Sequence, residues 1–228
     1  MTVISNTAPA PFQTVSAVDA AEAYLRREVL SGRFEAGQRI KEAPLAASLR
    51  ISRHTLRSAF ARLESVGLLA YRENRGWSVP VLDRAEYEDI LVLRGSLEST
   101  AYRLIKERAV TPGDRIQEAL QRVLDVTDDV PWPDRLELDC ALHQALVDLA
   151  GSRRLSQAFE ALMIEFRLCR LQSLEWLETV SLDHWKKLHS DLVEGVKHPD
   201  ASVDVEGHFL ANPWRDARGE QETETADG

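Results

Sequence analysis

Cysteine is scarce: Cys140 and Cys169 are the only two in 228 residues. They lie far apart in apolar helical patterns, which reads as two buried free thiols and excludes a disulfide-built scaffold. Long hydrophobic runs are missing, since no stretch approaches the roughly 20 apolar residues of a membrane helix. The first 15 residues carry no charge, so no basic segment precedes an apolar one and no secretory signal is expected. A cytoplasmic location without a membrane partner follows. Net positive charge is also lacking, at −9 over the whole chain, which by itself argues against a nucleic-acid partner. No separate nucleophile and general-base constellation is visible, so an enzyme is not expected.

The composition is otherwise that of a soluble globular protein, with 44% hydrophobic and 29% charged residues, and the length suffices for two modest domains. The charge is unevenly spread. Residues 16–82 hold 11 Lys+Arg against 7 Asp+Glu, a local +4; residues 83–228 hold 17 against 30, a local −13. A basic block on an acidic remainder points to two domains with different tasks.

Residues 1–15, rich in Thr, Ser, Ala and Pro, read as a mobile tail. A helix is predicted over 17–30, with Ala21, Tyr24, Leu25 and Val29 on one face and Gly32 as its stop. "RFEAGQRI" reads as a turn-bearing connection. Leu45, Leu49 and Ile51 belong to a short second helix and its exit. Ser52 caps a third, whose apolar stripe is Leu56, Ala59, Phe60 and Leu63. Two short strands flank a polar turn at residues 73–76. Beyond residue 84 only helical patterns occur, over about 85–108, 112–126, 133–149, 154–175, 182–196 and 201–211, with Pro112 in a first turn. Residues 213–228 read as a disordered acidic tail. The fold class is therefore mainly α, with domains at 16–82 and 83–212.

Three short helices and a hairpin describe a winged helix-turn-helix. Arg53, His54, Thr55 and Arg57 fall at the start of its second motif helix, where side chains and unpaired N–H groups meet phosphates and base edges. Arg57 suits bidentate pairing with guanine. Arg72, Asn74, Arg75 and Gly76 sit at the hairpin tip, placed to touch backbone or minor groove. "YLRREVLSGRFEAGQRI", "LAASLRISRHTLRSAFARLESVGLL" and "RGWSV" together resemble the DNA-binding domain of the GntR family of bacterial transcription regulators. His54–Thr55 departs from the Thr-Pro or Thr-Thr common there, which bears on the operator sequence read.

In "LELDCALHQALVDLAG", Asp139 and His143 lie four residues apart on one helix face. Such a pair can share a metal, do acid–base chemistry, or simply pair. His189 and His208 fall in later helices, and side chains from separate helices of a bundle can surround one divalent ion. The helical block resembles the FCD-type effector domain found behind GntR-type winged helices. "VLRGSLESTAYRLIKERA" resembles its first helix, which implies that Arg94 faces the ligand cavity. "DCALHQALVDLAGSRRL", "LHSDLVEGV" and "GHFL" carry its ligand pattern, implying Asp139, His143, His189 and His208 around a divalent metal, zinc first, with nickel and manganese as alternatives. The stretch before His208 is about one turn shorter than the family's; His184 and His198 fit the pattern less well. Arg167 and Arg170 join Arg94 as candidates for an effector carboxylate. Trp132, Trp176, Trp185 and Trp214 read as packing or interface anchors. The resemblance implies a homodimer that binds double-stranded operator DNA and senses a small organic acid, with repression relieved by effector. The alternatives are a regulator for which the metal is the signal, and a metal-dependent enzyme with a DNA-binding appendix.

Overall fold

The computed structural model describes residues 16–172, 181–198 and His208. The tails expected at 1–15 and 213–228, the end of the helix expected to reach residue 175, and most of the one expected over 201–211 lie outside the described residues.

Ser16 opens α1 (Ala17–Leu30) with a reciprocal cap: its hydroxyl accepts from the Asp19 N–H at 3.1 Å and its own N–H donates to the Asp19 carboxylate at 3.2 Å. After α1 comes a strand that the sequence reading missed, β1 (Arg39–Ile40). It is two residues long, too short for any alternation to register. The motif helices follow as α2 (Glu42–Leu49) and α3 (Arg53–Glu64). Between them Arg50 adopts φ +54°, and Ser52 caps α3 by accepting from the Thr55 N–H at 3.0 Å. Strands β2 (Ala70–Arg72) and β3 (Gly76–Ser78) form the wing. The antiparallel order is β1-β3-β2, with Trp77 opposite both Ile40 and Tyr71. Leu56, Phe60 and Leu63 of α3 are fully buried against α1 and Trp77.

The second domain contains α4 (Arg84–Glu107), α5 (Asp114–Leu124), α6 (Trp132–Leu149), α7 (Arg153–Gln172) and α8 (Leu182–Lys197). Pro112 does not enter the first turn of α5 as expected: Gly113 is the N-cap and the helix begins at Asp114. In α6 the prolines do set the start, with Pro131 as N-cap and Pro133 inside the first turn. Helices α4, α6 and α7 pack around a core that includes Tyr87, Ile105, Leu142, Phe159 and Phe166. Among the described residues, no helix is long and apolar enough to cross a membrane.

Helix α7 joins the two domains. Leu168 is buried in the winged-helix core rather than its own. Gln172 accepts from the Leu82 N–H at 2.9 Å and donates to the Pro80 carbonyl at 2.8 Å, gripping the chain that links wing to α4. Gly67, at φ +75°, faces the Glu165 side chain so closely that a Cβ there would lie 2.9 Å from Glu165 Cγ.

Candidate functional site

The apolar face of α6 buries Leu142, Leu146 and Cys140, and so turns Asp139 and His143 inward toward α4 and α8. Their hydrogen bonds diverge. The His143 Nδ1–H points at Glu98 Oε1, 2.5 Å away on α4, whereas Asp139 Oδ1 lies 2.9 Å from His189 Nε2 on α8. His208 completes the group with its Nε2 3.5 Å from His143 Nε2. His143, His189 and His208 each offer a ring nitrogen within 4.8 Å of the others. The site is almost closed: His143 and His189 are 1% and 2% exposed.

The partners fix where the imidazole protons sit. His189 Nδ1 is 2.7 Å from the Trp185 carbonyl, which can only accept, so Nδ1 carries the hydrogen and Nε2 the lone pair. That lone pair faces a carboxylate oxygen at 2.9 Å, an arrangement that calls for a cation or an added proton. His143 is set the same way by Glu98, with its Nε2 lone pair facing His208. The 3.5 Å between these two Nε2 atoms is close to the roughly 3.3 Å that two imidazoles take around tetrahedral zinc at ~2.0–2.1 Å. The donor set therefore fits a divalent metal.

The electrostatics agree. Burial, with Arg94 nearby, pushes the His143 imidazole below its ordinary value, and burial pushes His208 down to about 2. Both are neutral, the form that binds a metal. For Asp139, burial works upward, but a hydrogen bond from His189, which needs the added proton on Nε2, and the nearby Arg94 guanidinium hold its carboxyl well below the usual range. It is therefore an anion. Cys140 does not belong to the converging group, and burial raises its thiol to about 12.

The three arginines named from sequence separate. Arg94 reaches the cluster: its Nε is 3.3 Å from Glu98 Oε1, its terminal nitrogen 3.7 Å from Asp139 Oδ2, and its guanidinium stacks 4.4 Å from the Phe166 ring centre. Arg170 is half-buried on the next turn of α7, donating to the Tyr87 hydroxyl at 3.0 Å and lying 5.7 Å from the same Phe166 ring. Arg167 does not join them. One residue's rotation around α7 turns it to a groove of ≈ 670 Å³ between α1 and α6, where it pairs with Glu137 at 3.2 Å. Of the tryptophans expected as packing or interface anchors, Trp185 packs 4.9 Å from the His189 ring and also donates to Asp139 Oδ1 at 3.4 Å. Trp132 lies beneath Arg170 at 5.8 Å. Trp176 and Trp214 lie outside the described residues. His184 and His198 are both exposed, and His198 pairs with Glu194 at 3.3 Å.

On the winged helix, Arg53, His54 and Arg57 are exposed at the start of α3, and Thr55 is drawn into the Ser52 cap through a 2.8 Å hydroxyl contact. Arg57 is held by Glu42 of α2, with Nε 2.7 Å from Oε2. Arg72, Asn74 and Arg75 are exposed in the wing turn, where Asn74 at φ +63° and Gly76 at φ +74° make the reversal. Arg57 and Arg75 border one cleft of ≈ 420 Å³, and Arg39 and Lys41 of the unforeseen β1 region line it too. Sequence reasoning missed Glu98, Trp185, Arg39 and Lys41. Glu98 left one faint signal, a glutamate on the inward face of an amphipathic helix.

A winged helix-turn-helix on a helical bundle, with an imidazole–carboxylate cluster buried in that bundle, defines a two-domain DNA-binding regulator. Residues 17–79 match the family of bacterial regulatory proteins described as gntR, and residues 89–202 match the FCD domain. The chain belongs to the GntR family, in the form that carries an FCD domain. It is 29% identical over 181 residues to the Nta operon transcriptional regulator of Aminobacter aminovorans, covering 79% of this chain and 85% of that one. A transcriptional regulator GntR of Rhodococcus sp. RHA1 has the same fold, at TM-score 0.69 and 22% identity over 89% of this chain and 96% of its own. E. coli McbR/YncC superposes at TM-score 0.66 and 22% identity, over 93% of this chain and 100% of its own. The protein is thus a transcriptional regulator of the GntR/FCD type.

Proposed function

We propose that this regulator is a cytoplasmic homodimer that represses from a pseudo-palindromic operator and releases it when a small organic acid enters the helical domain. The observation that carries this reading is the convergence of three imidazole nitrogens within 4.8 Å, beside Asp139 and the half-buried Arg94. Asp139, His143, His189 and His208 would hold a divalent ion, zinc first, with nickel or manganese as alternatives. Bound there, the ion supplies positive charge that attracts a carboxylate. Arg94 of α4 supplies a guanidinium suited to the same group, and Arg170 of α7 lies against the same Phe166 ring. Arg167, paired to Glu137 in the interdomain groove, is the weakest of the three as an effector contact. On DNA, Arg53, His54, Thr55 and Arg57 would enter the major groove, while Arg72, Asn74, Arg75 and Gly76 contact backbone or minor groove. The role is regulatory rather than catalytic.

One observation favours a second reading. The three imidazoles converge on one point, and if Asp139 joined them as a fourth ligand, zinc's tetrahedron would have no open position. In that case the ion itself is the signal. Operator-binding titrations with metal-loaded protein separate the two. If carboxylic acids weaken operator binding while the metal stays in place, the acid-sensing reading holds. If chelation alone abolishes binding and no acid has any effect, the metal-sensing reading replaces it. Turnover of an acid by the loaded protein would revive an enzyme.

A further inference from the structure

We infer that Glu98 is the positioning residue of this centre, orienting both the metal-facing His143 and the effector-facing Arg94 with a single carboxylate oxygen. The inference rests on the metal reading above and adds a residue that the ligand pattern does not contain. Glu98 is 2% exposed, on the turn of α4 that follows Arg94. Glutamate is almost never buried this deeply without paired partners, and both of its partners belong to the site. Oε1 receives the His143 Nδ1–H at 2.5 Å and the Arg94 Nε–H at 3.3 Å; Oε2 has no hydrogen-bond partner among the described residues.

Three consequences follow from that geometry. A carboxylate on Nδ1 fixes the His143 tautomer, so the lone pair sits on Nε2 and faces His189 and His208. It also makes Nε2 a stronger electron-pair donor, as carboxylate–histidine pairs do at zinc. By holding Arg94 at Nε, it presents the outer nitrogens of the guanidinium toward Asp139, 3.7 Å away. A merely space-filling Glu98 would need neither contact.

The test uses the full-length protein, with zinc affinity measured by competition against a chromophoric chelator and the His143 tautomer read from ¹⁵N imidazole shifts of the metal-free protein. Glu98→Gln keeps the shape and removes the charge, and its zinc affinity is expected to fall about 10–100-fold. In the wild type the His143 proton is expected on Nδ1; in Glu98→Leu, which has no acceptor, that preference is expected to be lost. Wild-type affinity in Glu98→Gln, with melting unchanged, would overturn the role. So would a wild-type His143 proton found on Nε2, a readout that does not depend on either variant folding. If the wild type itself binds no zinc, the metal reading falls and takes this inference with it. Zinc binding that is indifferent to Glu98 sinks the inference alone.

Discussion

At the residue scale, the acid–imidazole pair on α6 gains its meaning from residues far away in sequence. Asp139 is held by His189 and Trp185, and His143 by Glu98. The spacing of Asp139 and His143 was legible because a helix turns four residues onto one face. Their partners were not, because nothing local in a sequence says which helix lies opposite. Arg167 shows the converse: one residue past Phe166, it is turned by about 100° around α7 and pairs with Glu137 instead. The shifted imidazoles give a pH prediction. His143 and His208 lie below their ordinary value in the folded chain. Well above about pH 6.5 they are neutral in both states. As the pH falls below that, the unfolded chain takes up protons that the folded one refuses, so stability is lost. Asp139, also depressed, adds a loss of the same sign at lower pH. In metal-stripped protein the melting temperature should therefore fall steadily from pH 7 to pH 4. A flat profile, or a maximum in that range, would contradict the neutral cluster.

At the element scale, α3 and α7 do the mechanical work. The Arg57–Glu42 contact ties α3 to α2, with the arginine side chain 67% exposed. Exposed pairs contribute at most about 1 kcal/mol to stability. If Arg57 reads DNA, Arg57→Ala should weaken operator binding by roughly 1–3 kcal/mol and barely move thermal unfolding. Retained operator affinity in fluorescence anisotropy would reduce Arg57 to a staple between helices. Gly67 ends the turn after α3 at φ +75° and abuts Glu165 of α7. Gly67→Ala should cost about 1–2 kcal/mol in urea unfolding, the penalty for a Cβ in the left-handed region; an unchanged midpoint would mean the turn relaxes freely. The long helices were legible within a residue or two because their apolar stripes run for several turns. Strand β1 was not, since Arg39–Ile40 is defined by pairing with Trp77 and Ser78 rather than by any local pattern. The start of α5 shifted because Gly113, rather than a residue before Pro112, serves as the N-cap.

At the scale of the whole molecule, two cores of opposite local charge meet across α7. One face of that helix sets Phe166 beneath Arg94, the next sinks Leu168 into the winged helix, and its end grips Pro80 and Leu82 through Gln172. A ligand regulates only if it favours one arrangement of the DNA-binding domains over another, and α7 is a described element that touches both the cluster and the reader. The division into a basic reader and an acidic bundle was visible in the charge distribution alone. The contacts between the two were invisible there, because a charge count says nothing of the Leu168, Gln172 and Glu165 side chains of α7 that make them. The proposed sensing depends on the cluster being a metal centre. Elemental analysis of the purified protein beside His143→Ala tests that claim most directly. A divalent ion bound to the wild type and lost from a folded variant is the predicted result; equal metal content in the two proteins would contradict it.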